Sequence, residues 1–272
     1  MFKHCTLLSL LFLSSSPSFS MPQIDTSINQ ATIQSIEITG STHFDQETLL
    51  EHLKWTSAGG EYHPEQMDMD ISLNLEGFLE DHGFIGCKTQ WSTDNLSNGK
   101  VKVRIEISEG PQYRLGILAF KDVKAYSPDE IKALFDLREG DLVNMSKIVL
   151  GLDRLKKMYA DKGYLGWSYV PEYKMDPETN VMDFWFSINE GKRFLTGIIG
   201  IVGCGNQEEE DQLRELIKIK SGEIFRQSEL EGSLLAINNN SKFQVMKEKG
   251  DMVYPDINKG IADVIIYVRP KD

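Results

Sequence analysis

ISEGPQYRLGIL, residues 107–118, returns at residues 188–199 as INEGKRFLTGII, so that Glu109-Gly110 stands 81 residues before Glu190-Gly191. Working outward, GEYHPEQ from Gly60 matches GDLVNMS from Gly140 and GEIFRQS from Gly222. LEDHGFIGC, which contains Gly83, matches YADKGYLGW, which contains Gly163. Several anchors sharing one period of about 80 residues are the signature of an internal repeat. The chain of 272 residues therefore reads as three copies of one module, over residues 35–110, 111–191 and 192–272.

Each copy reads as strand, helix, helix, strand, strand. The opening strands are the short apolar runs Ile36–Thr39, Leu115–Phe120 and Thr196–Val202. A first helix follows with a start signal in every copy: Asp45, the capping box Ser127-Pro128-Asp129-Glu130, and Asn206 with Glu209. The apolar positions Ile131, Leu134 and Phe135, and likewise Leu213, Leu216 and Ile217, have the i, i+3, i+4 spacing of one helical stripe. A glycine turn leads to a second helix striped by Ile71, Leu75, Phe78 and Leu79, or by Ile148, Leu152, Leu155 and Tyr159. Gly83 and Gly163 then read as left-handed caps. In the third copy Leu230, Leu234 and Ile237 keep the stripe, but Asn238-Asn239-Asn240 is expected to end the helix early. Val101, Val103, Ile105 and Ile107 alternate with Lys102, Arg104 and Glu106, and the apolar phase recurs in Phe184, Phe186 and Ile188 and in Val264, Ile266 and Val268, so one face of each strand pair is buried. The expectation is an α+β fold of three tandem modules, each a three-stranded mixed sheet covered by two helices.

A net charge of −12, with lysines and arginines interleaved among acids, argues against nucleic acid as a partner. Lys3 and His4, the apolar run Leu7–Leu13 and the small-x-small site Ser18-Phe19-Ser20 predict a cleaved signal peptide over residues 1–20. Residues 21–34 read as a loose lead-in. No later stretch approaches the ~20 apolar residues of a membrane-spanning helix. Of the two cysteines beyond the signal, Cys87 occupies the place of Trp167 in the next copy and reads as a buried small hydrophobe; a staple to Cys204, in another module, is not expected.

With the copies aligned, the sequence resembles the polypeptide-transport-associated (POTRA) domains of the BamA-type outer-membrane assembly factors. The resemblance rests on SEGPQYRLGILAF and NEGKRFLTGIIGIVG, on GDLVNMSKIVLGLDRLKKMYADKGYLGW with its Leu155, Tyr159, Gly163 and Tyr164, and on SKFQVM near Phe243. It covers about residues 33–270. It implies a periplasmic string of domains beside a membrane barrel, which captures unfolded outer-membrane proteins and docks accessory subunits. The sequence departs from that pattern by holding no barrel strands. The chain is then expected to be either a stand-alone partner of a separate barrel or a piece of a longer product, touching the membrane only by association. A competing reading is an adaptor or structural protein in secretion or division machinery.

The chemistry expected of such modules is strand addition. A three-stranded sheet leaves two edges with unpaired backbone groups, to which an extended guest can add with little dependence on its sequence. The strand after the second helix is the candidate edge: Lys88–Ser92, Trp167–Tyr173 and Phe243–Glu248. Lys88, Gln90, Trp91, Tyr169, Gln244 and Met246 are the candidate partner-binding residues. Trp91 and Tyr169 either stand exposed beside the edge or pack on their own sheet; alternation alone leaves both open. Pro171 is expected to break the second edge, which would favour the first and third modules. No catalytic triad, metal-ligand set or cofactor loop stands out. His43, His52, His63 and His82 cluster in the first module without ligand spacing, His63 and His82 standing where helix caps belong. The acids Glu208–Asp211 suit the first turn of a helix, and GIIGIVGCGN lacks the spacing of a dinucleotide loop. The chain is read as a binding protein and not an enzyme.

Overall fold

Alternation at period two requires that one face of a sheet be covered, and helices cover it here. The computed structural model describes residues 31–96 and 98–271, so the expected signal peptide and residues 21–30 of the lead-in lie outside the described residues. The first copy comprises β1 (Thr32–Thr39), α1 (Gln46–Glu51), α2 (Pro64–Asp70), a π turn (Ile71–Leu75), α3 (Glu76–Asp81), β2 (Lys88–Leu96) and β3 (Lys100–Ser108). β3 is central, parallel to β1 and antiparallel to β2. Ile36 and Ile38 of β1 meet Val103 and Ile105 of β3 and pack with Leu49, Ile71, Leu75 and Leu79 of the helices. Removing that apolar area from water is the main stabilising term, at roughly 25 cal/mol per Å².

The second copy comprises β4 (Arg114–Lys121), α4 (Pro128–Lys132), α5 (Met145–Asp161), β5 (Ser168–Asp176) and β6 (Val181–Asn189), with sheet order β4-β6-β5. The third comprises β7 (Leu195–Val202), α6 (Gln207–Arg214), α7 (Gln227–Asn240), β8 (Phe243–Val245), β9 (Val253–Asp256) and β10 (Ile261–Pro270). Its order is β7-β10-β8, with β9 also paired to β10. Contacts divide the chain into two compact units. Of the described residues, one holds those from Ala31 to Leu115 with Gly140–Ser146 and Met175–Met182; the other holds Gly116–Glu139, Lys147–Lys174 and those from Asp183 to Lys271. The first unit contains the whole β1-β3-β2 sheet and its helices, and the second contains the whole third sheet.

The predicted caps form. Asp45 accepts from the Thr48 amide, Ser127 and Glu130 make the full capping box, and Asn206 accepts from the Glu209 amide. Glu209 differs from a box partner: its carboxylate takes the Gly205 amide at 2.8 Å. The opening strand starts earlier than predicted. β1 begins at Thr32, and Ala31 and Ile33 are buried, so the end of the lead-in belongs to the sheet. The first helices are short, and α4 stops at Lys132, leaving Leu134 and Phe135 in the following turn. α7 runs through Asn238 to Asn240 and is shorter than α5 by three residues.

The seventh residue of each second helix faces the turn that follows the first helix, and each copy meets it differently. Asp70, fully buried, accepts the amides of Lys54, Trp55 and Thr56 at 2.8–2.9 Å and the Asn74 side chain at 2.7 Å. Ser233 accepts the Lys218 amide at 2.8 Å. Gly151 leaves room for Phe135, whose ring would lie 2.2 Å from a Cβ at that position. The π turn comes directly after Asp70. Such a turn is a one-residue insertion into an α-helix, and it restores the apolar stripe at Leu75 and Leu79 after the helix has aimed Asp70 inward.

Candidate functional site: the open edges of the sheets

With the last strand of each copy in the centre, the first and second strands are the two edges. The first-strand edge is closed at its start in all three copies by the glycine-turn segment the repeat had marked. Gly59 and Tyr62 donate to Ile33 and Ala31, and Ile33 donates to Gly60. Gly140 and Val143 donate to Leu115 and Tyr113, while Leu115 donates to Asp141. Gly222 and Phe225 donate to Thr196 and Phe194, while Thr196 donates to Glu223. These bonds satisfy backbone groups that would otherwise invite another chain.

The second-strand edge differs among copies. β2 pairs with β3 residue for residue from Lys88 opposite Ser108 to Leu96 opposite Lys100, and among the described residues no strand lies on its other side. β5 runs from Ser168 to Asp176 straight through Pro171, so the strand itself continues past the proline expected to break the edge. An edge strand accommodates a proline when the missing N–H faces away from the ladder. The third edge does not form a strand over Phe243–Glu248. β8 stops at Val245, a 3₁₀ turn spans Lys247–Lys249, and pairing resumes at Val253. Val245 faces Val268 and Val253 faces Val264, so eight residues on the edge span four on β10. The third edge is therefore interrupted where one continuous strand was expected.

The six candidate residues are spread over three sheets. Lys88 and Gln90 are exposed on the helix-free face of β2. Trp91 points the other way: half-buried, it packs on the first core, and its indole N–H donates to Asp68 of α2 at 2.7 Å. Tyr169 is likewise half-buried, stacked on Trp167 with ring centroids 5.6 Å apart and edge-on to Phe186 at 5.7 Å. Both aromatics therefore pack on their own module. Gln244 is exposed beside Arg269, whereas Met246 is half-buried and its amide donates to Tyr267 at 2.8 Å where the edge departs. The exposed apolar surface beside β5 comes instead from Val170, 62% exposed, which the sequence reading passed over. Trp185, flanked by buried Phe184 and Phe186, is on the same helix-free side, with the Lys121 ammonium 5.8 Å from its ring and Lys121 also bridging to Glu172. Trp185 was legible from the same alternation. On the first sheet that face is charged: Lys102 bridges to Glu37 at 2.6 Å and Arg104 to Asp94.

The Glu-Gly motifs pin the loops after the first and second opening strands. The buried Glu109 carboxylate accepts the amides of Thr42 and His43, the hydroxyls of Ser41 and Thr42, and pairs with the His43 ring at 2.7 Å. Burial alone would raise its pKa, but the hydrogen bonds from Ser41, His43 and Thr42 outweigh burial and hold it at about 2. Glu190 does the same with the Lys124 and Ala125 amides and the Tyr159 hydroxyl. Glu80 of α3 goes the other way, raised to about 7 by burial and by the neighbouring Glu76 and Asp81. His82 ends α3 with its ring nitrogen 2.8 Å from the Phe78 carbonyl, and His52 stacks on Phe78 at 3.8 Å. His63 precedes α2 as predicted but makes no side-chain capping bond. Among the described residues no group of three His, Cys, Asp or Glu side chains could hold a metal ion, and no helix is long and apolar enough to cross a membrane. Cys87 and Cys204 are free thiols, and burial pushes Cys87 up to about 12.

The sequence profile described as "POTRA: Surface antigen variable number repeat" matches residues 31–110 and 113–191. A protein of Treponema pallidum named "Putative outer membrane protein assembly factor" is 24% identical over 250 residues, covering 88% of this chain and 29% of its own length. The outer membrane protein assembly factor BamA of Neisseria meningitidis is 19% identical over 260 residues, covering 90% of this chain and 32% of its own. This chain thus spans about a third of those relatives. Among solved structures, Haemophilus influenzae BamA POTRA3-5 superposes with a TM-score of 0.69 at 17% identity, over 88% of this chain and 96% of that one, which is a likeness of fold.

Proposed function

The chain belongs to the POTRA family, and from that premise we propose that it is a periplasmic polypeptide-binding scaffold in outer-membrane protein assembly, acting by adding a guest strand to an open sheet edge. The guests in this reading are unfolded outer-membrane proteins, or a strand of a separate barrel or accessory subunit. The observation that carries it is β2: a nine-residue edge strand in unbroken register with β3, opposite a first-strand edge whose start is already paired. The first module is therefore the principal site. β5 has one backbone donor fewer, at Pro171, and the third edge is interrupted after Val245.

A guest on β2 would draw its affinity from main-chain hydrogen bonds and its selectivity from alternate side chains. On the helix-free side those side chains would meet Lys88 and Gln90. On the other side they would meet the surface braced by Trp91. Gln244 and Met246, beside a strand of three residues, offer a shorter ladder, and Tyr169 would line the second edge. No step requires a cofactor or a reacting group.

Guest peptides methylated at alternate backbone nitrogens test the mechanism. Strand addition uses the N–H groups of one set of alternate residues, so methylating that set should abolish binding, measured by fluorescence anisotropy, while the other set leaves it unchanged. Equal affinity for both methylated series would rule out strand addition. Capture of unfolded barrel proteins tests the assembly role separately, and enrichment no greater than for an unrelated periplasmic control would count against it.

A further inference from the structure

The three-residue sequence Asp-x-Gly closes the second helix of the first two copies, as Asp81-His82-Gly83 and Asp161-Lys162-Gly163. Each is held by the copy that follows through the same four hydrogen bonds. In the first, the Gly83 carbonyl accepts the Tyr113 amide at 2.8 Å, the His82 carbonyl accepts Nε2 of Gln112 at 2.9 Å, and the Asp81 carbonyl accepts Nδ2 of Asn144 at 2.9 Å. The Asp81 carboxylate then accepts the amide of Ser146, in the first turn of α5, at 2.7 Å. In the second, the Gly163 carbonyl accepts the Phe194 amide at 2.8 Å, Lys162 accepts Nε of Arg193 at 2.9 Å, and Asp161 accepts Nη1 of Arg226 at 3.3 Å. The Asp161 carboxylate accepts the amide of Ser228, in the first turn of α7, at 2.7 Å.

Each helix end has groups its own helix cannot satisfy: carbonyls at the C-terminus, amides at the N-terminus. Here the carbonyls that end one module's second helix take a backbone amide and side-chain donors of the next module, and the aspartate carboxylate beside them takes an otherwise unsatisfied amide in the first turn of the next module's second helix. Negative charge at a helix N-terminus is also favourable against the helix dipole. His63 and Arg226, the residues before the second helices in the first and third copies, make no capping bond of their own. The glycine is required twice over. Its φ of +85° in both copies is one that residues with a side chain rarely adopt, and a Cβ would stand 2.7 Å from the Tyr113 carbonyl at Gly83 or 3.0 Å from the Phe194 carbonyl at Gly163.

We propose that this Asp-x-Gly clamp couples the stability of successive POTRA modules, the carboxylate of one module completing the second helix of the next. The coupling is independent of strand addition at the edges. Asp161→Ala in the full chain is the test, read by amide hydrogen exchange resolved along the sequence. Loss of one capping bond corresponds to about a fivefold change in an opening equilibrium, so exchange at Ser228 and along α7 should quicken about fivefold while α5, which carries the substitution, is unchanged. Asp161→Asn, which keeps one acceptor oxygen, should give a smaller effect at the same amides and supplies the measurement if the alanine variant fails to fold. Asp81→Ala should act in the same way on the first turn of α5. Faster exchange confined to the helix that carries the substitution, or no change in the following module, would overturn the proposal.

Discussion

Asp70 shows how much one buried side chain can hold. Its carboxylate takes three consecutive amides, Lys54 to Thr56, and the Asn74 side chain, joining the turn after α1 to the second helix. Replacing it with alanine leaves three N–H donors without their acceptor, that of Thr56 buried and those of Lys54 and Trp55 partly so. Each orphaned donor costs about 1–3 kcal/mol before relaxation, so Asp70→Ala should lower stability in denaturant titration by about 3 kcal/mol, and a loss below about 1 kcal/mol would show that water reaches the turn. Asp70 lies outside the apolar stripe Ile71, Leu75, Phe78 and Leu79 that the sequence shows for this helix. Its role was hidden because the amides it serves are fourteen to sixteen residues away, beyond any local spacing rule. The caps at Asp45 and Ser127 were legible because a capping bond closes within three residues.

At the scale of elements, the edges decide what each sheet can do. The third copy carries four extra residues in its edge strand, between Val245 and Val253. Irregularities of this kind protect edges from unwanted pairing. Deleting Glu248–Asp251 should align the two halves into one continuous edge, and the variant should then gain guest-peptide binding that a photo-cross-linker placed at Gln244 reports. A variant that folds, shown by unchanged circular dichroism, and gains no cross-link would mean that the interruption is not what closes this edge. Alternation along β2 and β5 was readable in the sequence, but not which phase faces the helices. Trp91 and Tyr169 resolve that phase through partners from other elements, Asp68 for the first and Phe186 for the second.

For the whole molecule, the carboxylates predict a pH profile with two limbs. Glu109, held at about 2 against an ordinary value of 4.5, and Glu190, also lowered, contribute stability that is present above pH 4.5 and lost as the pH falls through their folded values. Glu80 has the opposite sign. Raised to about 7, it favours the fold when protonated, and that contribution is lost as the pH rises from about 4.5 through 7. The melting temperature should therefore peak at weakly acidic pH. Glu80→Gln should raise it more at pH 8 than at pH 5, and Glu109→Gln should lower it at pH 7 and flatten the acid limb. A Glu80→Gln gain of equal size at both pH values would show that its charge is not strained in the fold.

The sequence by itself determined that there are three copies, the order of strands and helices in each, and where the first helices start. Those features rest on hydrophobic period, caps and glycines acting over a few residues or on a repeat visible at fixed spacing. Only the tertiary structure decided which edge of each sheet is closed, which face Trp91 and Tyr169 turn to, and why the repeated Asp-x-Gly and Glu-Gly pairs stand where they do. Asp81 meets Ser146, and Glu109 meets Ser41, across more than sixty residues of chain. No local pattern marks such a pair, because its geometry exists only after the intervening elements have packed.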